Sequence, residues 1–378
     1  MKVIFWMCLL VIFYVYAGYP VMLSLLAIFK KRRVIKADIT PSVSLIVAAY
    51  NEGKAIEEKI KNSMGLEYPK DKFEVIIASD CSTDMTDEIV RRYSKEGIIL
   101  ARLEGRRGKT AVQNQAVMRA KGEILVFSDA TTIFAADCIK KIVRSFADPN
   151  VGCVGGKIVF KRGSGLFTGE KNMQERYDEF IRAKEARIKT TFGLTGCLYA
   201  VRKNLYAPLE DDQTSDFVLP LKVIEKGFSV VCDSDAVGYE EVSRDVESEF
   251  NRRVRTTRAG MKGLSAMTHM LFFSSGPFVS FGLLSHKVLR WLTPYLMLGI
   301  LLINIAIFDF GFIYKLALIS QALFYVLVVV GFKFERAGRK PKIFTIPFNF
   351  AMINIAAVFG LIRFLMGRNQ EIWQTERA

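Results

Sequence analysis

The sequence has few of the residues on which histidine-based and cysteine-based sites depend. Its 378 residues include 2 His and 6 Cys, and no two Cys form a Cys-x-x-Cys pair. This argues against a His-based metal site, Ser-His-Asp catalysis, a zinc site and a disulfide framework, and it fits a reducing compartment. Gly-x-Gly-x-x-Gly and Gly-x-x-x-x-Gly-Lys-Ser/Thr are also absent, so a dinucleotide site or a P-loop would lack its phosphate cradle.

Apolar and charged residues occupy different parts of the chain, which is 51% hydrophobic and 24% charged, with a formal net charge of +15. Residues 3–29 contain no charged side chain, and such a segment can cross a bilayer core of about 30 Å. It is too long for the apolar core of a signal peptide, so residues 1–30 are predicted to be a retained transmembrane anchor. Lys and Arg at 30–33 predict that the following residues are cytoplasmic.

Three apolar stretches near the C-terminus, 291–308, 316–332 and 343–362, predict that residues 286–367 form three membrane segments. The basic link 333–342 is predicted to lie inside. The tail, residues 368–378, then lies outside, unless the last segment is a re-entrant hairpin.

Residues 251–285 are predicted to form basic and amphipathic helices at the membrane interface. Residues 263–285 carry no Lys, Arg, Asp or Glu, but Gly and Pro interrupt them. We therefore interpret this stretch as interfacial or re-entrant; the alternative is an ordinary spanning helix.

Residues 38–250 have the pattern of an α/β domain. Short apolar runs begin at Val43, Phe73 and Gly122, with helical patterns between them, which predicts a mostly parallel central sheet covered by helices. Ligands of such sheets bind outside the carboxyl ends of the strands. Polar, acid-bearing turns follow the three runs, at 50–53, 79–84 and 128–131. Together they indicate a binding site, although Asp and Ser at such places are also common helix caps.

Four motifs follow one another in this region: Ala49-Tyr50-Asn51-Glu52, Asp80-Cys81-Ser82-Thr83-Asp84, Arg107-Gly108-Lys109 and Ser128-Asp129-Ala130. Their order and spacing resemble the nucleotide-sugar half of a family 2 inverting glycosyltransferase with the GT-A fold. The resemblance covers roughly residues 40–260 and is to the membrane-bound bacterial enzymes of polysaccharide and glycolipid synthesis.

The resemblance implies that a nucleotide sugar is held by residues from all four motifs and from the basic loop: Ala49, Tyr50, Glu52, Asp80, Ser82, Arg106, Lys109 and Asp129. Asp129 matches the first Asp of the family's Asp-x-Asp metal motif, whereas the second position is Thr131 here. A divalent metal, Mg²⁺ or Mn²⁺, is the implied cofactor, since one carboxylate with substrate phosphates and water can hold Mg²⁺. For the basic loop 106–109, a solvated charge run is the alternative.

The second half of the domain resembles the family's acceptor side, which implies acceptor-side roles for Thr195, Gly196 and Asp212. The family's Thr-Glu-Asp reads Thr214-Ser215-Asp216 here, so the resemblance makes Asp216 the general base. An inverting displacement needs one carboxylate to take the proton of the acceptor hydroxyl. A helix N-cap is the alternative role for Asp216.

The family's Gln-x-x-Arg-Trp motif reads Arg252 to Thr256 here. By resemblance, Arg252, Arg253 and Arg255 would bind the departing diphosphate; the alternative is a basic helix on anionic lipid. The missing Trp favours a non-processive enzyme. Two further elements resemble bacterial polysaccharide enzymes: Ser285-His286-Lys287-x-x-Arg290-Trp291, and Trp373-x-x-x-Glu376-Arg377 in the tail.

The sequence thus predicts a hexosyl- or N-acetylhexosaminyltransferase of the plasma (inner) membrane, with a cytoplasmic catalytic domain. It would move a sugar from a UDP- or GDP-linked donor to a polyprenyl-linked or saccharide acceptor in cell-envelope synthesis. Its partners would be membrane lipids and not nucleic acid, because the basic residues flank the membrane segments.

Two alternatives stay open. One is a processive synthase that translocates its product through the three C-terminal segments, a thin channel that a homo-oligomer would widen. The other is a non-catalytic membrane scaffold or transport protein, to which the positive charge would suit anionic lipid. A scaffold, however, does not need Asp80, Asp129 and Asp216 at one sheet edge.

Overall fold

The computed structural model describes residues 1–30, 32–162, 165–168, 173–241, 246–337 and 341–367. Contacts divide the chain into two compact units. One comprises Met1–Leu26, Ser243–Met261 and Pro277–Arg368, and the other includes Ala27–Val242 and Lys262–Gly276. The tail predicted from residue 368 onward, with Trp373, Glu376 and Arg377, lies outside the described residues.

The helices of the described residues are named in chain order. They are α1 (Lys2–Phe13), α2 (Tyr19–Phe29), α3 (Ile56–Met64), α4 (Thr86–Arg92), α5 (Lys109–Arg119), α6 (Cys138–Val143), α7 (Met173–Ile188), α8 (Ser215–Glu225), α9 (Val246–Ala266), α10 (Pro277–Leu283), α11 (Leu289–Ala306), α12 (Phe312–Arg336) and α13 (Lys342–Leu365).

The strands all belong to the second unit. They are β1 (Val43–Ala49), β2 (Phe73–Ser79), β3 (Ile98–Arg102), β4 (Ile124–Asp129), β5 (Ile133–Phe134), β6 (Val151–Arg162), β7 (Gly165–Thr168), β8 (Leu198–Arg202) and β9 (Ser229–Glu241).

Across the described residues these strands form one sheet, in the order β3-β2-β1-β4-β8-β6-β9-β5, with β7 paired to β6. Strands β1 to β4 are parallel to one another, β8 is antiparallel to β4 and β6, and β6 is parallel to β9. Six strands therefore run in one direction (β1, β2, β3, β4, β6 and β9). The predicted α/β class with a mostly parallel sheet is confirmed.

The central strands of the sheet are almost entirely buried. All seven residues of β1 are buried, as expected for a strand covered on both sides. The core continues into the antiparallel half, where the ring of Phe127 on β4 stacks on Tyr199 of β8 at a centroid distance of 4.8 Å. The carboxyl ends of β1, β2 and β4 therefore lie on a rigid base.

The other unit contains the long apolar helices. Four helices among the described residues are long and apolar enough to cross a membrane: Lys2–Phe29, Pro277–Ala306, Phe312–Arg336 and Lys342–Leu365. A buried cluster joins Phe5 of α1 with Ile300 of α11 and Tyr314 of α12. The rings of Phe334 and Phe344 stack at 5.1 Å between α12 and α13.

The first C-terminal candidate span differs from the sequence prediction. It starts at Pro277 rather than at Trp291, and it includes residues 277–285, which were interpreted as interfacial. Two polar residues of this helix are packed inside the unit. Ser285 and His286 are buried, the Tyr14 and Ser285 hydroxyls are hydrogen-bonded at 2.7 Å, and the His286 ring lies 6.5 Å from the Tyr19 ring. A partnered polar side chain does not have to end an apolar helix.

Candidate active site

The first two polar turns are hydrogen-bonded into one structure. Asn51 has a positive φ of 50° and exchanges hydrogen bonds with Thr83: its Oδ1 accepts from the Thr83 backbone at 2.8 Å. The backbone N–H of Asn51 donates to Ser82 Oγ at 3.2 Å, and that of Glu52 donates to Thr86 Oγ1 at 2.8 Å. The turns after β1 and β2 are therefore held in a fixed relation.

Asp84 is the central acceptor of this structure. Its Oδ2 accepts from the Gly53 backbone at 2.9 Å, and its Oδ1 accepts from the Thr86 backbone at 3.0 Å. Burial alone would raise the pKa of Asp84, but the bonds from Thr86 and Gly53 outweigh it and lower the pKa. Asp84 therefore stays ionised and ties the two turns together beside α4.

Asp80, predicted to hold a nucleoside, is fully buried at the end of β2. Its Oδ1 accepts from the Arg107 backbone at 2.8 Å, and its Oδ2 accepts from the Gly108 backbone at 2.9 Å. Gly108 has a φ of 98°, a conformation that favours glycine, and it is the N-cap of α5. Asp80 therefore fixes the basic loop 106–109 against the second turn.

The fixed loop brings Arg106 over Tyr50. The guanidinium carbon of Arg106 lies 3.8 Å from the centroid of the Tyr50 ring, which is cation–π distance. Both side chains are partly exposed. A planar cation and an aromatic ring at the end of β1 form a surface on which a flat ring can stack.

Lys109 connects the basic loop to Asp129. Its ammonium forms an ion pair with the carboxylate of Asp129 and donates to the Gly196 carbonyl at 3.0 Å. Burial alone would lower the pKa of Lys109, but the negative charges of Asp129 and Asp216 outweigh it and raise the pKa. A permanent positive charge therefore lies at the end of β4.

Gly196 places Asp216 beside this charge. A Cβ at position 196 would lie 2.9 Å from Asp216 Oδ2 and 3.3 Å from its Cγ, so the close approach requires glycine. Asp216 is in the first turn of α8, and its Oδ1 accepts a hydrogen bond from the hydroxyl of Thr214, the N-cap residue. Its backbone carbonyl accepts from Leu194 at 2.9 Å. Asp216 is therefore held at the site by both its side chain and its main chain.

The loop before α8 is attached to the site by further bonds. Arg107 Nε donates to Asp211 at 2.8 Å, Thr110 Oγ1 donates to the Gln213 carbonyl at 2.6 Å, and Lys262 pairs with Asp212. Asp212 was predicted to face the acceptor. Thr195 lies in the same segment as Gly196, and its carbonyl accepts from the Leu198 backbone at 3.2 Å.

Of the predicted site residues, the structure brings together those at the ends of β1, β2 and β4 with Gly196 and Asp216. The connecting residues Asn51, Thr86 and Asp211 were not predicted as site residues. Asn51 carried a signal, because Asn tolerates a positive φ and followed an apolar strand. Arg252, Arg253 and Arg255 lie on α9 in the other unit, where Arg252 and Arg253 pair with Glu249.

The donor set for a metal is small. Among the residues that the structure describes, no group of three or more His, Cys, Asp or Glu side chains is placed to hold a metal ion. Thr131 stands where a second Asp would be. Asp129 already faces one cation, the Lys109 ammonium, so its position stabilises positive charge. These residues fit a divalent ion that takes its remaining ligands from a bound diphosphate and water.

Known proteins share this domain. The model of glycosyl transferase family 2 matches residues 44–207. Similar curated proteins include the beta-monoglucosyldiacylglycerol synthase of Nostoc sp., 36% identical over 118 residues, 30% of this chain and 25% of that protein. Glycosyltransferase AglE of Haloferax volcanii is 27% identical over 207 residues, 52% of this chain and 66% of that protein. The matches to curated relatives thus span between a quarter and about two thirds of their length.

A solved structure resembles nearly the whole chain. The mannosyltransferase PcManGT from Pyrobaculum calidifontis, in complex with GDP-Man and Mn²⁺, has a TM-score of 0.76 and 21% sequence identity. The alignment covers 97% of this chain and 100% of that one. At this identity the likeness establishes the GT-A fold. The chain thus has this fold, and its residues 44–207 match the model of glycosyl transferase family 2.

Proposed function

We propose that this chain is a membrane-bound inverting glycosyltransferase. It moves a sugar from a nucleotide diphosphate donor to a lipid-linked or saccharide acceptor in the synthesis of cell-envelope polysaccharide or glycolipid. Asp216 is the general base, and the residues at the ends of β1, β2 and β4 bind the donor.

The position of Gly196 carries this proposal. Lys109 donates to its carbonyl, and the Asp216 carboxylate lies against its Cα. A fixed positive charge and a fixed carboxylate are therefore both held next to one residue. Inverting transfer needs this pair, because one group stabilises the departing diphosphate and the other takes the acceptor proton.

Each residue of the site has its own role in this reaction. The Tyr50–Arg106 surface stacks the base, and Lys109 draws the diphosphate toward Asp129. Asp216 accepts the proton of the attacking hydroxyl while the bond between the sugar and the diphosphate breaks. Thr214 keeps the Asp216 carboxylate oriented toward the acceptor. A divalent metal held by Asp129 and the diphosphate would supply further charge neutralisation of the leaving group.

The relatives and the long helices support the membrane setting. One relative is named as a synthase of a glucosyl lipid. Another, from Staphylococcus aureus, is named as a poly-beta-1,6-N-acetyl-D-glucosamine synthase. The basic residues at 30–33 follow the first long helix, so the positive-inside rule favours a cytoplasmic domain at the plasma membrane. Thr256, whose hydroxyl bonds back to the Arg252 carbonyl at 2.9 Å, offers no aromatic platform, which favours single additions.

The test uses the full-length protein in detergent with native lipid extract, Mg²⁺ or Mn²⁺ and a panel of UDP- and GDP-sugars. We expect nucleoside diphosphate release with one donor, and a loss of roughly 10²- to 10⁴-fold in Asp216→Asn, the range for a missing general base. Asp137→Asn is the matched control, because Asp137 is also an N-terminal helix residue.

Equal turnover of both variants would mean that Asp216 has only a structural role in the first turn of α8. If none of the donors gave nucleoside diphosphate release and the protein bound no nucleotide, the proposed transferase activity would be refuted. The size of the product separates single addition from polymerisation.

A further inference from the structure

A buried lysine lies directly beneath the Asp129 turn. Lys59 of α3 is fully buried. Its Nζ donates to the Thr132 carbonyl at 2.5 Å and lies 3.8 Å from the centroid of the Phe134 ring. Burial lowers its pKa to about 7. Enclosing an ammonium in a protein core is costly, and an apolar side chain would fill this position at lower cost. The lysine therefore requires an explanation beyond packing.

Thr132 is the residue through which Lys59 acts. Thr132 is fully buried, and all three of its polar groups are used. Its N–H donates to the Asp129 carbonyl at 3.2 Å, which closes the turn. Its hydroxyl donates to Glu240 Oε1 at 2.7 Å, and its carbonyl accepts from Lys59. The turn that carries Asp129 is thus held from two sides.

Both holding groups come from elements that are fixed elsewhere. Glu240 is on β9, which pairs with β5 immediately after Thr132, with Ile133 opposite Tyr239. Helix α3 also holds β5, because Asn62 and the Phe134 backbone exchange two hydrogen bonds of 2.9 Å. The position of Asp129 therefore depends on α3 and β9.

Helix α3 also begins at the first polar turn. The Glu52 carbonyl accepts from the Ile56 backbone at 2.8 Å. One short helix thus connects the Tyr50 end of the site with the Asp129 end, and the buried Lys59 makes the second connection.

We propose that Lys59 and Glu240 are positioning residues that fix the Asp129 turn through Thr132. They thereby set the affinity for the diphosphate end of the donor and leave the nucleoside end unaffected. The part that concerns donor affinity rests on the proposed function. Neither residue touches the donor, so the expected effect is that of supporting groups around a metal-binding carboxylate, a 10- to 100-fold change.

The experiment compares Lys59→Met with Lys61→Met in the full-length protein. Lys61 is the matched control, an exposed lysine of the same helix that pairs with Glu57. Calorimetry measures the affinity for UMP and GMP without metal, and then the affinity for UDP and GDP with Mn²⁺. In Lys59→Met we expect monophosphate affinity within about twofold of wild type and Mn²⁺-diphosphate affinity 10- to 100-fold weaker. Equal weakening of both ligands, or of neither, would overturn the inference.

A second pair of variants keeps the test decisive if Lys59→Met does not fold. Glu240→Gln retains an acceptor for the Thr132 hydroxyl, whereas Glu240→Leu removes it. We expect the Leu variant to lose Mn²⁺-diphosphate affinity and the Gln variant to recover most of it. Equal affinities in the two would refute the role of Glu240.

Amide exchange in residues 129–134 gives a readout that does not depend on the function. Faster exchange in Lys59→Met than in Lys61→Met supports the positioning role, and equal exchange refutes it. If the wild type binds none of the four nucleotides, the proposed function fails, while the exchange result still decides whether Lys59 fixes the turn.

Discussion

Replacing Gly196 with alanine should displace the base without removing any catalytic group. The added Cβ would lie 2.9 Å from Asp216 Oδ2, against about 3.4 Å for an ordinary contact, so the carboxylate has to move by about 0.5 Å. Its hydrogen bond from Thr214 and its place in the first turn of α8 oppose this movement. Misplacement by about 1 Å can cost about 10²-fold in rate. We therefore expect kcat to fall roughly 10- to 100-fold, with donor affinity nearly unchanged.

The assay is steady-state release of nucleoside diphosphate, with donor binding measured separately. Gly65→Ala is the control, because the Cβ there meets only ordinary contacts, the nearest being the Lys61 carbonyl at 3.4 Å. A normal kcat in Gly196→Ala would refute the view that the position of the Asp216 carboxylate limits the reaction. A loss that appears only in donor binding would place the defect at Lys109 instead.

Other predictions concern the base surface, the metal and the domain's stability. Arg106→Ala should raise the KM for the donor more than it lowers kcat, since it removes the guanidinium from the Tyr50–Arg106 stacking surface. Chelation with EDTA should abolish release, and Mn²⁺ or Mg²⁺ should restore it. Asp233→Ala should destabilise the domain by about 3 kcal/mol because Arg144 loses a buried partner at 2.8 Å. Asp235→Ala is at an exposed site and should cost less than about 1 kcal/mol. Thermal unfolding measures both effects. Burial alone would raise the pKa of Asp233, but the bonds from Arg144 and Lys36 outweigh it and lower the pKa below 3.8. The free energy of unfolding of wild type should therefore exceed that of Asp233→Asn by less and less as pH falls below about 4.

Strands β1, β2 and β4 were predictable because each is short, mostly apolar and followed by a polar turn, whereas the other six strands of the described residues were not predicted. Burial on both faces leaves such strands few alternatives to the centre of a sheet. The start of the first C-terminal helix at Pro277 was not predictable in the same way. Glycine, proline and serine in 263–285 indicate an interruption, whereas the structure has a long helix from Pro277 onward with Ser285 and His286 packed inside the unit.

The residues at the ends of the strands were predictable as a group, but their individual tasks were not. Asp80 was expected to bind a nucleoside, yet both of its oxygens accept bonds from the basic loop. A sequence shows that an acid follows a strand, and it does not show whether the acid's partner is a ligand or the chain. In this domain a loop more than twenty residues further on is that partner.

Lys59 shows which signal was present and how it was missed. Helix α3 buries Ile56, Ile60 and Ser63 on one face, and Lys59 lies on that face. Lys59 comes three residues after Ile56 and one residue before Ile60. At helical spacing it cannot face water unless the helix rotates away from the core. A basic residue inside an apolar stripe must have a buried partner, and the candidates are the carbonyls and acids at the ends of the strands beneath that face. The same reasoning predicts that an apolar residue at position 59 would pack equally well and leave the Thr132 carbonyl without its donor, which is why the Lys59→Met comparison separates packing from positioning.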